Sequence, residues 1–444
     1  MTLSATRPVQ REIEVAPAPT VCAALHAQQR HFISFDGDGA GSGWLHGPLV
    51  AVAPRVEIAV RSGAARRVTR AALAALGRLV AARRRTGGPS ETGIAALLAY
   101  DLGSAADERP AAGRLPALVA WSIDRSLRFL GSGRALWSGP PTAREPGAAC
   151  QVSAAQPPAP AAGLDGALRS SLPRSAYLRA VRRLQAQIAE GTIYQANLCR
   201  TLSGAFRGDP FLVHRRLLHD NPAPHAAFVR ARRWALASAS PEAFLRVREP
   251  GRIETWPIKG TRPRGSDPAA DRAAARELVQ SEKDRAELVM IVDLERNDLS
   301  RVCRPGTVRV REPGTLRSFP SVHHLVAVIE GELRPELGVD RWIEAAFPGG
   351  SISGAPKLRA IELLDRIEPV RRGLFTGSLF WFGDDGRTDS SILIRTIVFD
   401  GARFHLGVGS GIVADSEAEQ EWRETGHKAR ALARALGFEP EEAP

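Results

Sequence analysis

Apolar residues fall into two spacings along the chain, and these predict where helices and strands form. Residues 68–85 are rich in Ala, Leu and Arg with a period near 3.6, which predicts an amphipathic helix. Residues 175–190 put Tyr177, Val181, Leu184 and Ile188 on one face and stop at Gly191, a residue type that commonly ends helices. Residues 286–299, 341–347 and 356–366 carry the same helical period, and a last helix is expected over about 416–436, with Asp415 or Ser416 as N-cap and Glu419 closing a capping box. Shorter apolar or alternating runs predict strands at 94–102, 117–122, 191–202, 228–245, 252–259, 308–311 and 321–333. Residues 375–382, 391–400 and 403–408 read as a meander with a turn at Asp385 and Gly386. Strands and helices mix without strict βαβ alternation, so the expected fold class is α+β with largely antiparallel sheets.

The chain of 444 residues divides into an N-terminal region, 1–138, an Ala/Pro/Gly tract at 139–164 read as a linker or long surface loop, and a pattern-rich region, 165–440. Residues 1–30 mix Pro, Ala and charge and predict no element. In 31–54, strands are broken by a glycine turn; Gly37, Gly39, Gly41 and Gly43 do not satisfy the GxGxxG spacing of a nucleotide loop. A hydrophobic content of 44% supports a substantial core. No apolar run reaches the roughly 20 residues of a membrane span, and Arg7, Arg11, Glu12 and Glu14 stand where a signal peptide needs an apolar core, so a cytoplasmic protein is expected. Cys22, Cys150, Cys199 and Cys303 lack CxxC spacing, which argues against a zinc site or disulfide framework and for buried thiols. The net charge of +12 is spread over helices and loops with only 6% aromatic residues. It reads as a solvated surface that steers an anionic substrate, not as a nucleic-acid interface.

Charge also singles out one residue. Of 60 basic residues, 56 are arginine; lysine occurs only at 259, 283, 357 and 428. Taken alone, Lys259 reads as a solvated loop charge. It lies, however, in the stretch WPIKGTRPRG (256–265), where Pro257, Gly260 and Pro263 restrict the backbone and Arg262 and Arg264 flank the amine. Like charges and desolvation both lower a lysine pKa, and a neutral amine is a nucleophile. Two pairs of acids, Asp284 with Glu287 and Glu421 with Glu424, each lie three apart on a predicted helix. Facing one another they would suit Mg²⁺; singly, they read as helix-surface charges, Glu424 pairing with Lys428 four residues on. The segment 348–357, PGGSISGAPK, offers an anion cradle without Walker A spacing, and 407–415, GVGSGIVAD, reads as a second glycine-rich turn. Together with Arg395 and Lys428, these turns point to a ligand with more than one carboxylate.

PIKGTRPRG, ELVMIVDLERND (287–298), SVHHLV (321–326), FPGGSISGAPKLRAIELLD (347–365), SSILIRT (390–396) and GSGIVADS (409–416) together resemble the chorismate-utilising enzyme family, densely over 175–430 and more weakly at YDLG (100–103). The resemblance implies two packed antiparallel sheets with helices outside. Lysine at 259 is the mark of the family's aminodeoxychorismate branch, where the anthranilate branch has alanine. Gln195 stands where the isochorismate and salicylate branches have a water-activating lysine. The activity implied by resemblance is conversion of chorismate and ammonia to 4-amino-4-deoxychorismate through a covalent Lys259 intermediate, for 4-aminobenzoate and folate synthesis. Glu242 is the implied general acid and base, and His324 stands near the ring and leaving group. Mg²⁺ is expected on Glu287 and Glu424, with Asp284 and Glu421 acting through water. Substrate contacts are expected from Gln195, Thr261, Ser351, Ser353, Gly354, Ala355, Lys357, Trp381, Arg395, Gly409, Ser410, Gly411 and Lys428.

The chain also departs from the family pattern. The early Trp-containing and LLES-like motifs of a tryptophan pocket are absent, and Phe380 and Trp381 replace a Gly-Tyr pair that borders the substrate. No GxCxG nucleophile occurs, so ammonia is expected from a separate glutamine amidotransferase. Two other readings remain: an anthranilate-type synthase, and a non-catalytic binding protein with a basic surface.

Overall fold

In the computed structural model of the protein, which describes residues 8–29, 31–36, 43–44, 47–61, 66–103, 115–131, 133–143, 145–146, 162–319 and 322–439, the strand-forming runs assemble into two sheets. Across the first sheet the order is Val9–Glu14, Arg134–Gly139, Ser126–Gly131, Leu49–Ala51, Phe32–Phe35, His225–Arg230, Trp234–Ser240, Thr396–Asp400, Arg403–Ile412, Gln195–Arg207 and Gly354–Ala355, with Gly163–Ser170 also pairing to Gln195–Arg207. The second runs Ile258–Pro263, Val322–Glu332, Arg252–Thr255, Leu245–Glu249, Thr388–Ile392, Ser378–Gly383, Gly93–Leu98, Pro116–Ile123 and Arg55–Arg61, with Arg309–Ser318 also pairing to Val322–Glu332. Neighbouring strands are antiparallel, as in Lys259 opposite Leu325 and Asn197 opposite Gly411. The expected α+β class with packed antiparallel sheets is therefore the observed one, and strands from the first 138 residues enter both sheets.

Side chains alternate across each strand, so both faces of each sheet need cover. Ile33, Phe35, Leu97, Trp121, Leu236 and Trp381 meet in the layer between the sheets. Outside the first sheet, helices Ala18–Gln28, Pro210–Asp220 and Ala418–Ala435 contribute Leu25, Leu217 and Leu432 to a core with Phe228 and Phe399. Outside the second, helices Arg66–Thr86, Glu282–Ser300 and Val339–Ala346 bring Leu76, Val292 and Ile343 against Ile94, Leu118 and Phe380. This alternation corrects the reading of Trp381 as a substrate contact. With Leu379 it points into the inter-sheet core, packs edge-on to Phe35 at 5.4 Å between ring centroids, and donates its indole N–H to the Ser90 carbonyl at 3.1 Å.

Other differences have local causes. The run 391–400 is two strands in different sheets, Thr388–Ile392 and Thr396–Asp400, because the chain crosses between layers at Arg395, which adopts φ +51. The stretch 407–415 is mostly not a turn: strand Arg403–Ile412 runs through it, with Gly407, Gly409 and Gly411 on one face. The last helix begins at Ala418 with Glu417 at the N-cap and no side-chain cap; Ser416 donates to Glu421 at 2.7 Å instead, and Glu419 pairs with Arg174. Helices Pro210–Asp220 and Pro268–Gln280 escape the apolar spacing, yet both start with Asp-Pro. Asp209 accepts from Phe211 N at 3.0 Å, Asp267 accepts from Ala269 N and Ala270 N at 2.9 Å, and each proline occupies the first turn, where no N–H is needed. The strand Val9–Glu14 and helix Ala18–Gln28 lie where the sequence pattern predicts no element. Of the expected linker, Gly139 and residues 163–164 belong to strands, while residues 144 and 147–161, like Gly37, Gly39, Gly41 and Cys150, lie outside the described residues. Cys22, Cys199 and Cys303 are buried and free.

Candidate active site

A β-bulge aims Lys259. Strand Ile258–Pro263 pairs Lys259 with Leu325 and Thr261 with His324, so Gly260 is the extra residue between two registers. Gly260 adopts φ +72, and a Cβ there would stand 2.6 Å from Leu278 Cδ1 and 2.9 Å from Asp284 Cγ. Only glycine fits both the conformation and the gap. The Lys259 amine makes no hydrogen bond or ion pair among the described residues. Burial lowers its pKa; Lys428 lowers it further, while Glu287, Glu242 and Glu424 oppose the shift. The flanking arginines are not the cause expected from the sequence, because both are turned to other acids. Arg262 bonds Glu277 at 2.8 Å and Asp284 at 3.1 Å, and Arg264 bonds Asp271 at 2.7 Å.

Glu242 follows strand Trp234–Ser240, its backbone fixed by Ser240 Oγ at 3.2 Å and by Ile392 N at 3.1 Å. It is 4% exposed, and its Oε1 is buried without a hydrogen bond of good geometry, as is the neighbouring Ser351 Oγ. Burial pushes the Glu242 carboxyl up to about 7, although the Ser351 hydroxyl, the Lys259 charge and the Ile258 amide pull the other way. His324 is held through Nδ1, 3.0 Å from Thr261 Oγ1 and 3.3 Å from the Gly260 carbonyl. A carbonyl can only accept, so Nδ1 carries the proton and Nε2 is left as an acceptor. Burial lowers its pKa to about 4, and nearby Arg395 adds to the shift.

Across from Lys259, strands Arg403–Ile412 and Gln195–Arg207 present a bare strip. A Cβ on Gly409 would stand 2.5 Å from Cys199 Sγ, and one on Gly411 would stand 2.5 Å from Gln195 Nε2 and 3.7 Å from Lys259 Nζ. Both polar atoms of the Gln195 side chain are buried without partners. Lys428 donates to the Gly409 carbonyl at 3.0 Å and pairs with Glu424 at 2.6 Å. Ser410 donates to Glu421 and lies 3.2 Å from Glu424. Arg395 is half-buried near Glu424 and His324, and its guanidinium makes no ion pair among the described residues; desolvation lowers its pKa.

Lys259, Glu242, His324, Gln195, Ser351, Arg395, Ser410, Gly411, Lys428, Glu287 and Glu424 thus form one connected group. Several expected members stand apart from it. Lys357 is tied to Asp298 at 2.6 Å and to the Ala346 carbonyl at 2.7 Å, so its ammonium serves the packing of helix Lys357–Ile367. Ser353 donates to the Gly349 carbonyl at 2.8 Å within a single turn, Gly350–Ser353, that replaces the expected open cradle. Gly354 and Ala355 form a two-residue strand on Gln195–Arg207; a Cβ on Gly354, at φ +140, would stand 2.3 Å from the Gln195 carbonyl. Thr261 acts through His324.

Among the described residues no three His, Cys, Asp or Glu side chains close into a metal cage. Glu421 is committed to Ser410 and Ser416, and Asp284 to Arg262. Glu287 makes no hydrogen bond or ion pair among the described residues. Burial raises its pKa against the opposing Lys259 and Lys283 charges, and the neighbouring Asp284 and Glu424 charges add to the rise. Carboxylates that repel one another, one of them unpaired, are a donor set that could hold a divalent cation needing one or two protein ligands.

Glu295 is absent from the residues that the sequence singles out. It sits 4% exposed on the buried face of helix Glu282–Ser300 with Leu288, Ile291 and Leu299, accepts from Thr255 Oγ1 at 2.8 Å, and burial together with Glu242 and Asp298 drives its pKa upward. An acid on the apolar face of a helical repeat is the signal that could have found it.

Three comparisons bear on this group. The chain matches the chorismate binding enzyme profile over residues 30–434. It is 44% identical over 273 residues to aminodeoxychorismate synthase component 1 of Salmonella typhimurium, covering 62% of this chain and 60% of that protein. Over 272 residues it is 42% identical to anthranilate synthase component 1 1 of Haloarcula marismortui, covering 61% and 55%. The match therefore spans about 60% or less of these relatives' own length. Anthranilate synthase component I from Streptococcus pneumoniae TIGR4 superposes with a TM-score of 0.70 at 23% identity, covering 98% of this chain and 93% of that one. A profile matching nearly the whole length and a shared sandwich agree: the chain belongs to the chorismate binding enzyme family.

Proposed function

We propose that the protein is a component 1 of aminodeoxychorismate synthase, replacing the C4 hydroxyl of chorismate by ammonia to give 4-amino-4-deoxychorismate. The observation that carries this reading is the half-buried Lys259 amine, free of hydrogen bonds among the described residues and near a protonatable Glu242. Depression of the lysine pKa raises the fraction of neutral amine roughly tenfold per unit. In the first step Lys259 Nζ bonds to ring C2, the ring double bond shifts, and the C4 hydroxyl leaves as water with a proton from Glu242. In the second, ammonia bonds to C4, the double bond shifts back, and the lysine nitrogen leaves while Glu242 recovers a proton. Arg395 and Lys428 supply cations for the two substrate carboxylates, and neutral His324 offers Nε2 as an acceptor. A divalent cation on Glu287 and Glu424, when bound, supplies positive charge that anchors the ring carboxylate.

Ammonia comes, in this reading, from a separate glutamine-hydrolysing subunit in the cytoplasm. Burial raises the thiol pKa of Cys22, of Cys199 to about 12 and of Cys303 to about 11, which suits structural thiols better than a nucleophile. The Haloarcula relative favours a second reading, an anthranilate-type synthase. Incubation of the purified chain with chorismate, Mg²⁺ and an ammonium salt, followed by aminodeoxychorismate lyase, distinguishes them. 4-Aminobenzoate is expected, lost in Lys259→Ala; anthranilate as the main product, or an unimpaired Lys259→Ala, rejects the proposal.

A further inference from the structure

Away from Lys259, a cleft of about 540 Å³ opens where the end of helix Arg66–Thr86, the turn joining strands Leu245–Glu249 and Arg252–Thr255, and the segment after strand Val322–Glu332 converge. That last strand separates the two places. His324 stands near its start and Glu332 at its end, roughly 26 Å apart along an extended chain. None of the cleft's residues takes part in the chemistry proposed above.

Its charged walls are Arg84, Arg252, Arg304 and Arg334 against Glu249 and Glu332, leaving positive charge in surplus. Arg304 and Glu332 approach one another across it at 3.9 Å, the outer limit of an ion pair. Arg84 donates to Thr388 Oγ1 at 2.7 Å and to the Arg387 carbonyl at 3.3 Å, and Arg334 donates to the Arg301 carbonyl. The Nε–H of each is nevertheless buried without an acceptor. Buried donors without acceptors are uncommon in native proteins, and these two come from two of the segments that line the cleft. The floor is apolar, formed by Val247, Leu337 and Trp342, whose indole N–H is already bonded to the Leu337 carbonyl at 3.1 Å. The Arg84 guanidinium lies 5.8 Å from the Trp342 ring centroid, so cationic and aromatic surfaces meet. Space of this size, with convergent donors over an apolar floor, is typical of small-molecule sites.

We infer that this cleft is a second ligand site, taking a small organic anion with a carboxylate or phosphate head and an aromatic or otherwise apolar body. Arg334 and Arg252 hold the head, and Trp342 supports the body.

Benzoate and phenyl phosphate share the ring and differ in the head, and inorganic phosphate is a head alone. Each is titrated into the intact chain by calorimetry. One site per chain is expected to saturate with at least one organic probe, the tighter of the two identifying the head group, while inorganic phosphate binds at least tenfold more weakly. Loss of one charge-assisted contact in Arg334→Gln or in Arg252→Gln weakens the organic probe roughly tenfold. Arg252 is exposed, so that variant keeps the fold if Arg334→Gln does not. Arg395→Gln leaves binding unchanged, which separates this cleft from the Lys259 group whatever reaction that group performs. No saturable binding of either organic probe, equal binding of inorganic phosphate, indifference to both arginine substitutions, or loss in Arg395→Gln overturns the assignment.

Discussion

Gly411 lies bare against Gln195: a methyl group on its Cα would come within 2.5 Å of Gln195 Nε2. The obstacle is the end of a side chain that makes no hydrogen bond, so Gln195 can turn, and the direction open to it includes Lys259 Nζ, 3.7 Å from the same methyl position. Gly411→Ala is therefore expected to retain a cooperative thermal melt while the rate of the proposed amination falls about a hundredfold, the scale of a misplaced reacting group. Circular dichroism and steady-state rates measure both; an unchanged rate would remove Gly411 from the site.

For the proposed amination, the pH dependence of turnover follows from two groups shifted toward one another. Lys259 must lose a proton to react, and burial lets it do so at lower pH than an ordinary lysine; this sets the acid limb. Glu242 must hold a proton to release water, and burial keeps it protonated up to about 7; this sets the alkaline limb. Glu242→Gln should lower the rate by roughly 10²–10⁴ and abolish the alkaline limb near neutrality. A limb near pH 7 that persists in the variant would assign it to another group.

Glu287 and Glu421 should separate by experiment. Glu287 has no partner among the described residues, whereas Glu421 is 4% exposed and accepts from Ser410 and Ser416. Glu287→Gln is expected to leave the thermal midpoint unchanged and weaken Mg²⁺ binding at least about tenfold, measured by calorimetry on the unliganded protein. Glu421→Gln is expected to lower stability by about 1–3 kcal/mol through a buried network left partly unmatched. The reverse pattern would exchange their roles.

Glu295 gives a stability test whose sign is fixed. Its folded pKa is raised, so the folded state binds a proton that the unfolded state has released, and stability falls as pH rises above the ordinary carboxylate value. One such proton contributes a slope of about 1.4 kcal/mol per pH unit. Glu295→Gln keeps an oxygen for Thr255 and removes the titration, so its advantage over the parent should be larger at pH 8 than at pH 5. His324, whose pKa moves the opposite way, is present in both proteins and cancels from the difference. Urea melts at the two pH values decide it; a constant difference would mean that Glu295 titrates normally.

Motifs with local meaning are legible in the sequence, and pairings between distant residues are not. Residues 68–85 and 286–299 form helices because one apolar face repeats within the segment itself, and that repeat is visible without the rest of the chain. Gly407, Gly409 and Gly411 read as a turn because glycine is a common breaker, yet their spacing of two is that of a strand face, and Phe375, Cys199 and Gln195 occupy the space their side chains would fill. Lys357 reads as a substrate contact because its partner, Asp298, lies on another helix 59 residues away. Trp381 reads as a site residue for want of its opposing sheet, which supplies Phe35. The Lys259 environment is legible in direction but not in cause, since burial and Lys428 depress its pKa while Arg262 and Arg264 are neutralised by Glu277, Asp284 and Asp271.

Arg395 adopts a left-handed backbone, φ +51, where the chain steps from one layer of the sandwich to the other, and such a conformation costs on the order of 1–3 kcal/mol in a non-glycine residue. Ile392 before it pairs with Ser378 in one sheet and Thr396 after it pairs with Ser238 in the other, so the place of this guanidinium is set by both layers at once.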